Sequence, residues 1–209
     1  MNNFAVYLAQ AIPERSNLRL VKTEAKAYHK SHTPTECYST GMELYQSENL
    51  QIQEVGVFLL GYAAQSEPGA LTFLRETISG HESWKVQETL AMVFDLHCKA
   101  IGYETAPPLI RDWLSDSRAH VRRAASEGLR VWTSRPYFKE HPEAAEELLA
   151  ALRSDESEYV RKSIGNALKD ISKKYPHLVK AELRTWDLTP KEVWQVYQLA
   201  GKFLPEPQQ

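Results

Sequence analysis

The sequence predicts an all-α fold built as a solenoid of paired helices, and three observations carry that prediction. No stretch shows the sustained alternation of apolar and polar residues that a half-buried strand requires. One phrase, AHVRRAASEGLR at Ala119 to Arg130, sets small residues on one helix side and charges on the other; it returns as EYVRKSIGNALKD at Glu158 to Asp170 and more loosely as WKVQETLAMVFD at Trp84 to Asp95. With Val121 as an anchor, the matching positions are Ile52, Val86, Val160 and Val193, at intervals of 34, 35, 39 and 33 residues, near the length of a helical-hairpin repeat. A shorter helix precedes each anchored one, which is the paired unit of a solenoid.

In chain order, Asn2 to Ile12 is a short helix stopped by Pro13, and Asn17 to His32 is a longer one with Leu18, Val21, Ala25 and Tyr28 at helical spacing; both read as packing elements. His32 to Thr35, HTPT, breaks the chain before a helix at Glu36 to Gln46. Leu50 to Gln65 is strongly apolar, Pro68 opens a helix through Ile78, and Gly80 ends it. His81 to Cys98 follows, then a connector with Gly102 and Pro107-Pro108, a helix at Leu109 to Leu114, and the AHVRR phrase. Ser134 to His141 is a second connector; Glu143 to Arg153, Ser157 to Lys174, Pro176 to Trp186 and Thr189 to Leu204 complete the alternation, the last with Thr189 as cap and Pro190 in the first turn. The expected organisation is one repeat domain over 1–204, with capping helices over 1–48, paired repeats over 49–204, and a flexible tail at 205–209.

Composition narrows the class. A hydrophobic fraction of 43% with 25% charged residues is that of a globular protein rather than a disordered or fibrous one. No apolar run approaches the roughly 20 residues of a membrane span, and the N-terminus lacks the basic leader of a signal peptide. Cys37 and Cys98, with no CxxC, give neither a disulfide framework nor a zinc site, so a reducing cytoplasm is the default. The net charge of −2 argues against nonspecific coating of nucleic acid, although a local basic face can hide in that average.

The anchor also orders the polar residues. Two positions on stand Glu54, Glu88, Arg123, Lys162 and Gln195; six on, Phe58, Met92, Glu127, Asn166 and Leu199; nine on, Gly61, Asp95, Arg130, Lys169 and Lys202. Stacking successive anchored helices lines these positions into one surface, expected to be the concave one, acidic at Glu54 and Glu88 and more basic from Arg123 onward. Trp84 and Glu88 are four apart, so an indole and a carboxylate can address one ligand together; the alternative is a packing Trp84 and a Glu88 that is solvated or paired with Lys85. Arg122, Arg123, Arg130, Arg161, Lys162 and Lys169 can form a phosphate-binding strip, or be a solvated face in which the Val-Arg pairs bind acidic neighbours. Asp170 can support a neighbouring Arg or a water, or make a surface ion pair. Trp132 and Tyr137 can supply an aromatic contact, or pack onto the next repeat. Asp95, His97 and Cys98 point apart on a helix, and His29 with His32 lacks a third ligand, so no metal is expected. Glycine-rich phosphate loops, GxSxG and HExxH are absent from the sequence.

HVRRAASEGLR followed by SEYVRKSIGNALKDISKKYPHLV resembles the DNA alkylation repair family, the HEAT-repeat alkylpurine DNA glycosylases, over about Trp84 to Trp186. The resemblance implies a concave HEAT-like solenoid that acts as a monomer on alkylated duplex DNA without a nucleotide cofactor, metal or membrane, in the cytoplasm and at the nucleoid. It implies excision of cationic N3- or N7-alkylpurines without base flipping. The family's catalytic carboxylate falls at Glu88, its second aspartate at Asp170, and Trp84 fits a Trp-xxx-acid arrangement. One branch continues ASEG into RPRLPW; here Arg130 to Tyr137 reads RVWTSRPY, so that Trp132 or Tyr137 is left to supply the lesion-side aromatic. The alternatives to a glycosylase are a noncatalytic HEAT protein that binds damaged or branched DNA and a protein-interaction scaffold.

Overall fold

In the computed structural model the described residues, 3–13 and 18–204, form α-helices and three short 3-10 turns, with no strand among them. The expected tail at 205–209, and Asn2 and Asn17 at the expected helix starts, lie outside the described residues. Contacts divide the chain into two compact units, Met1–Ile101 and Gly102–Gln209. The first holds α1 (Asn3–Ala11), α2 (Leu18–Ser31), α3 (Pro34–Tyr45), α4 (Leu50–Ala63), α5 (Pro68–Glu76) and α6 (Trp84–Ile101). The second holds α7 (Pro107–Leu114), α8 (Ala119–Gly128), α9 (Pro136–Glu140), α10 (Pro142–Ala150), α11 (Glu158–Ser172), α12 (Pro176–Leu183) and α13 (Lys191–Ala200).

Each unit is a stack of the predicted paired helices. In the first, α4 packs against α2 and α6 and is flanked by α3; in the second, α11 packs against α8 and α13 and is flanked by α10 and α12. All five anchors are buried. Small residues set the spacing at two seams. A Cβ on Gly56 would lie 2.8 Å from the Gly41 carbonyl oxygen, so α3 runs hard against α4 and the pairing reaches back into the stretch expected to be a separate cap. Between α8 and α11, Ser126 and Ser163 share a buried 2.6 Å hydrogen bond.

One device recurs at four anchors. The residue after each anchor donates from its side chain to the carbonyl six residues back: Gln53 to Ser47 (2.7 Å), Gln87 to His81 (2.6 Å), Arg122 to Asp116 (2.8 Å) and Arg161 to Asp155 (2.6 Å). The accepting residue turns its own side chain to the amide two positions on, from Asn49 to Ser47, Ser83 to His81, Arg118 to Asp116 and Ser157 to Asp155. Each rung satisfies backbone groups that the loop before a helix leaves without helical partners. The arginine rungs go further. Arg122 makes a two-pronged bond to Asp155 in the next loop (2.7 and 2.8 Å), and Arg161 reaches Gln195 on α13 (2.8 Å).

Several boundaries differ from expectation for local reasons. HTPT breaks the chain between α2 and α3 as expected, and it also starts α3 two residues early: Thr33 and Glu36 form a reciprocal capping box around Pro34. Pro107 and Pro108 form the first turn of α7, where missing amides cost nothing. The second connector is itself helical, a 3-10 turn at Trp132–Ser134 followed by α9. Thr189 is not the cap of α13. Pro190 takes that place, and the Thr189 amide is engaged by Asp187 Oδ1 at 3.0 Å.

One buried charge opposes this order. Glu146 on α10 is 7% exposed, its Oε1 has no hydrogen-bond partner among the described residues, and burial, followed by the charges of Glu182 and Glu147, pushes its carboxyl up to about 7. The unfolded chain ionises this group near 4.5 while the folded chain holds its proton to about 7, so folding loses stability as pH rises through that window. Glu146→Gln is expected to raise the thermal midpoint by about 5 °C at pH 8, with the gain fading toward pH 4.5. Asp155→Ala, which leaves the buried Arg122 guanidinium with only the exposed Glu156 carboxylate at 3.6 Å as an ionic partner, is expected to cost about 3 kcal/mol in urea unfolding, with Asp155→Asn recovering part of the loss.

Candidate nucleic-acid interface

In the first unit the candidate site is the start of α6. Trp84 is its first residue and is 65% exposed; Glu88 lies one turn on and is half-buried, with Met92 and Asp95 half-buried farther along. The acidic surface expected at Glu54 and Glu88 is divided between two environments. Glu54 is buried in the seam between α4 and α6, where the Thr89 hydroxyl lies 3.2 Å from its Oε1. Burial pushes the Glu54 carboxyl up, against the Thr89 hydrogen bond and the Lys85 charge. Glu88 is therefore the carboxylate of this pair that reaches the surface, beside an indole whose open face attracts cations.

The second unit sorts the predicted cations by side. Arg122 and Arg161 are each 7% exposed and serve as ladder rungs, so their guanidinium donors are turned to loop carbonyls, Asp155 and Gln195. This corrects their placement in a phosphate strip: the position after the anchor points into the repeat seam. Arg123, one residue later, lies on another side of α8 and is also buried, at 7% exposed. Its guanidinium stacks 4.3 Å from the Tyr159 ring centroid, and His120 meets the same ring edge-on. Lys162 is exposed and pairs with Glu158 at 2.7 Å; Lys169 donates to Asn166. Arg123, Lys162 and Lys169 thus share α8 and α11 of one unit.

Arg130 and Asp170 are brought together. Arg130 donates to Asp170 Oδ2 from Nε and Nη2 (3.2 and 3.0 Å) and to Glu127 from Nη1 (3.2 Å), while Lys173 donates to Asp170 Oδ1 (2.9 Å). Burial alone would raise the Asp170 carboxyl, but hydrogen bonds from Lys173 and Arg130, with their charges, outweigh it and hold the group below the usual range. Asp170 belongs to the second unit and Glu88 to the first. Trp132 is 1% exposed, donates its indole N–H to the Ser126 carbonyl (3.0 Å) and packs on Phe138, which corrects its reading as a lesion-side aromatic; Tyr137 is half-buried between Phe138 and His141.

Sequence reasoning missed Tyr159 beneath Arg123, although it precedes its anchor as His120 does, and it missed Asp155 as the partner of Arg122. Among the described residues no three His, Cys, Asp or Glu side chains gather as a metal site, and no helix is long and apolar enough to cross a membrane.

Comparisons with known proteins extend this picture. A crystal structure of AlkD2 from Streptococcus mutans is 45% identical, superposes with a TM-score of 0.92, and covers 96% of this chain and 97% of its own. A second Streptococcus mutans structure, of smu.31, is 46% identical with a TM-score of 0.90, covering 97% of this chain and 100% of its own. The alkylpurine DNA glycosylase AlkC of Pseudomonas fluorescens, bound to DNA containing an abasic site analog, shares 20% identity and a TM-score of 0.69 over 95% of this chain and 55% of its own, a likeness of fold. The uncharacterized protein YhaZ of Bacillus subtilis is 45% identical over 78 residues, 35% of this chain, and the chain spans only 22% of that relative's length. The family model described as DNA alkylation repair enzyme matches residues 6–186, which takes in four of the five anchors and ends before α13. With helical repeats, recurring anchors and that match in agreement, the chain belongs to the DNA alkylation repair enzyme family.

Proposed function

We propose that the protein is a DNA glycosylase that releases cationic N3- or N7-alkylpurines from duplex DNA without flipping the base, with Glu88 as its catalytic carboxylate. The observation that carries this reading is the presentation of Trp84 and Glu88 one turn apart at the open end of α6. An alkylated purine is a good leaving group because it departs neutral, taking the electrons of its bond to C1′. The sugar left behind carries positive charge on C1′ and its ring oxygen. A carboxylate beside it stabilises that charge and orients the water whose oxygen bonds C1′, the proton passing to the carboxylate or to solvent and an abasic site remaining. The Trp84 face suits the same cationic sugar, and a half-buried Tyr137 is the remaining aromatic candidate.

The backbone grip falls to Lys162 and Lys169, while Arg123, as buried as Arg122 and Arg161, is held within the fold. Tyr159 holds Arg123 in place, and Asp170 acts through Arg130 as a positioning residue rather than on the reacting atoms. Arg122 and Arg161 contribute only through the fold.

With methylated duplex DNA, the wild type is expected to release free purine, and Glu88→Gln to reduce release by at least about 100-fold while duplex affinity changes little. Unchanged release would remove Glu88 from the mechanism; binding without release by the wild type would select a noncatalytic DNA-binding protein. Trp84→Ala is expected to slow release about 10-fold at saturating protein, as fits the loss of one stacking contact.

A further inference from the structure

The anchored surface leaves out α2, which the sequence alone presents as a packing helix. Its buried side is indeed apolar, with Val21 and Ala25 fully enclosed. Its outer side carries Arg19, Lys22, Lys26 and Lys30, all exposed, at spacings of three, four and four residues that set them on one helix face. Like charges four apart destabilise a helix by about 0.2–0.5 kcal/mol per pair, so nothing in the folding of α2 favours this row. Nor is it neutralised locally. None of the four has an ion-pair partner among the described residues, and the single acidic residue of α2, Glu24, is engaged by the Tyr7 hydroxyl. On α11 the exposed Lys162 and Lys173 are by contrast paired with Glu158 and Asp170. A chain with net charge −2 thus concentrates four cations on three turns of one helix.

We infer that this row is a DNA-backbone contact surface of the first unit, additional to the anchored strip and resting on the reading of duplex DNA as the partner. The dimensions favour a linear polyanion over a single phosphate. Eleven residues of helix span about 16 Å, roughly five base steps along a duplex at 3.4 Å per phosphate on each strand. The hollow beside the row, lined by Leu18, Arg19, Lys22, Thr23 and Lys26, is mostly apolar, as the stems of long cationic side chains make it. The row also adjoins the anchored face of its own unit. Lys22 Nζ lies 5.9 Å from the ring centroid of Phe58, the α4 residue six after its anchor, and α4 packs in turn against α6 with Glu88. The first unit therefore holds both the surface carboxylate and a grip of its own on the polyanion, which offsets the repulsion between Glu88 and phosphates.

The test uses the full chain and a fluorescent unmodified duplex, with Kd measured against KCl concentration. Replacing Arg19, Lys22, Lys26 and Lys30 together by Gln is expected to weaken binding about 30-fold at 100 mM KCl and to lower the slope of log Kd on log salt by about 2 to 4, near 0.9 per lost phosphate contact. Lys26→Glu alone is expected to weaken it about 10-fold. Both variants are expected to keep the wild-type thermal midpoint or exceed it, since the substitutions relieve repulsion. A slope and Kd equal to wild type in the fourfold variant overturn the inference and leave the glycosylase reading untouched. A wild type that binds no duplex overturns both. A wild type whose binding to phosphatidylglycerol vesicles is lost in the fourfold variant, with DNA binding unchanged, overturns it in favour of a membrane surface.

Discussion

The side-chain bond from the residue after each anchor to the carbonyl six positions back is the interaction on which the rest of the architecture depends. A solenoid must turn the chain sharply before every anchored helix, and each turn exposes amides and carbonyls that no helix satisfies. Gln53, Gln87, Arg122 and Arg161 meet that need with one geometry, and the acceptors Ser47, His81, Asp116 and Asp155 complete it by capping the next amide. The helix pitch then decides what the neighbouring positions do. A residue one step beyond the rung, at Glu88, Arg123 or Lys162, turns to another side of its helix.

That division also sorts the charges of a chain whose net charge is near neutral. Charges whose work is structural are buried and matched, as with Arg122 and Asp155, or clustered so that each neutralises another, as with Glu127, Arg130, Asp170 and Lys173. The exposed cations of α2, Arg19, Lys22, Lys26 and Lys30, make no ion pair among the described residues. Glu54 shows the same economy: its register matches that of Glu88, yet burial beside Thr89 converts it from a surface acid into part of a helix seam.

Much of the fold was legible because the anchor spacing is a direct image of the repeat. Five buried anchors, the missing strands and the close α8–α11 seam all follow from residue type and period. Less legible was the direction of each arginine. Arg122 and Arg123 are adjacent and chemically identical, and only the loop carbonyls and Asp155, 33 residues away, decide that the first turns inward. Trp132 was misread for a related reason. Its loop looks exposed in sequence, but a 3-10 turn folds the indole under Ser126. The Thr33 capping box was readable in principle, since Thr-Pro-Thr-Glu carries its full signature, and was obscured by taking proline as a break.

The two kinds of rung carry a consequence for cooperativity. Glutamine rungs close only their own loop, whereas the arginines of the second unit also grasp the following repeat, at Asp155 and Gln195. Bonds from Thr89, Arg122, Ser126, Arg130 and Arg161 join residues 33 to 40 positions apart, about one repeat in each case. Stability therefore passes from neighbour to neighbour, and the strength of each coupling is set by a single side chain. The arginine-linked repeats are tied by side chains that reach from one repeat to the next, while α4 and α6 of the first unit are tied through Glu54 and Thr89.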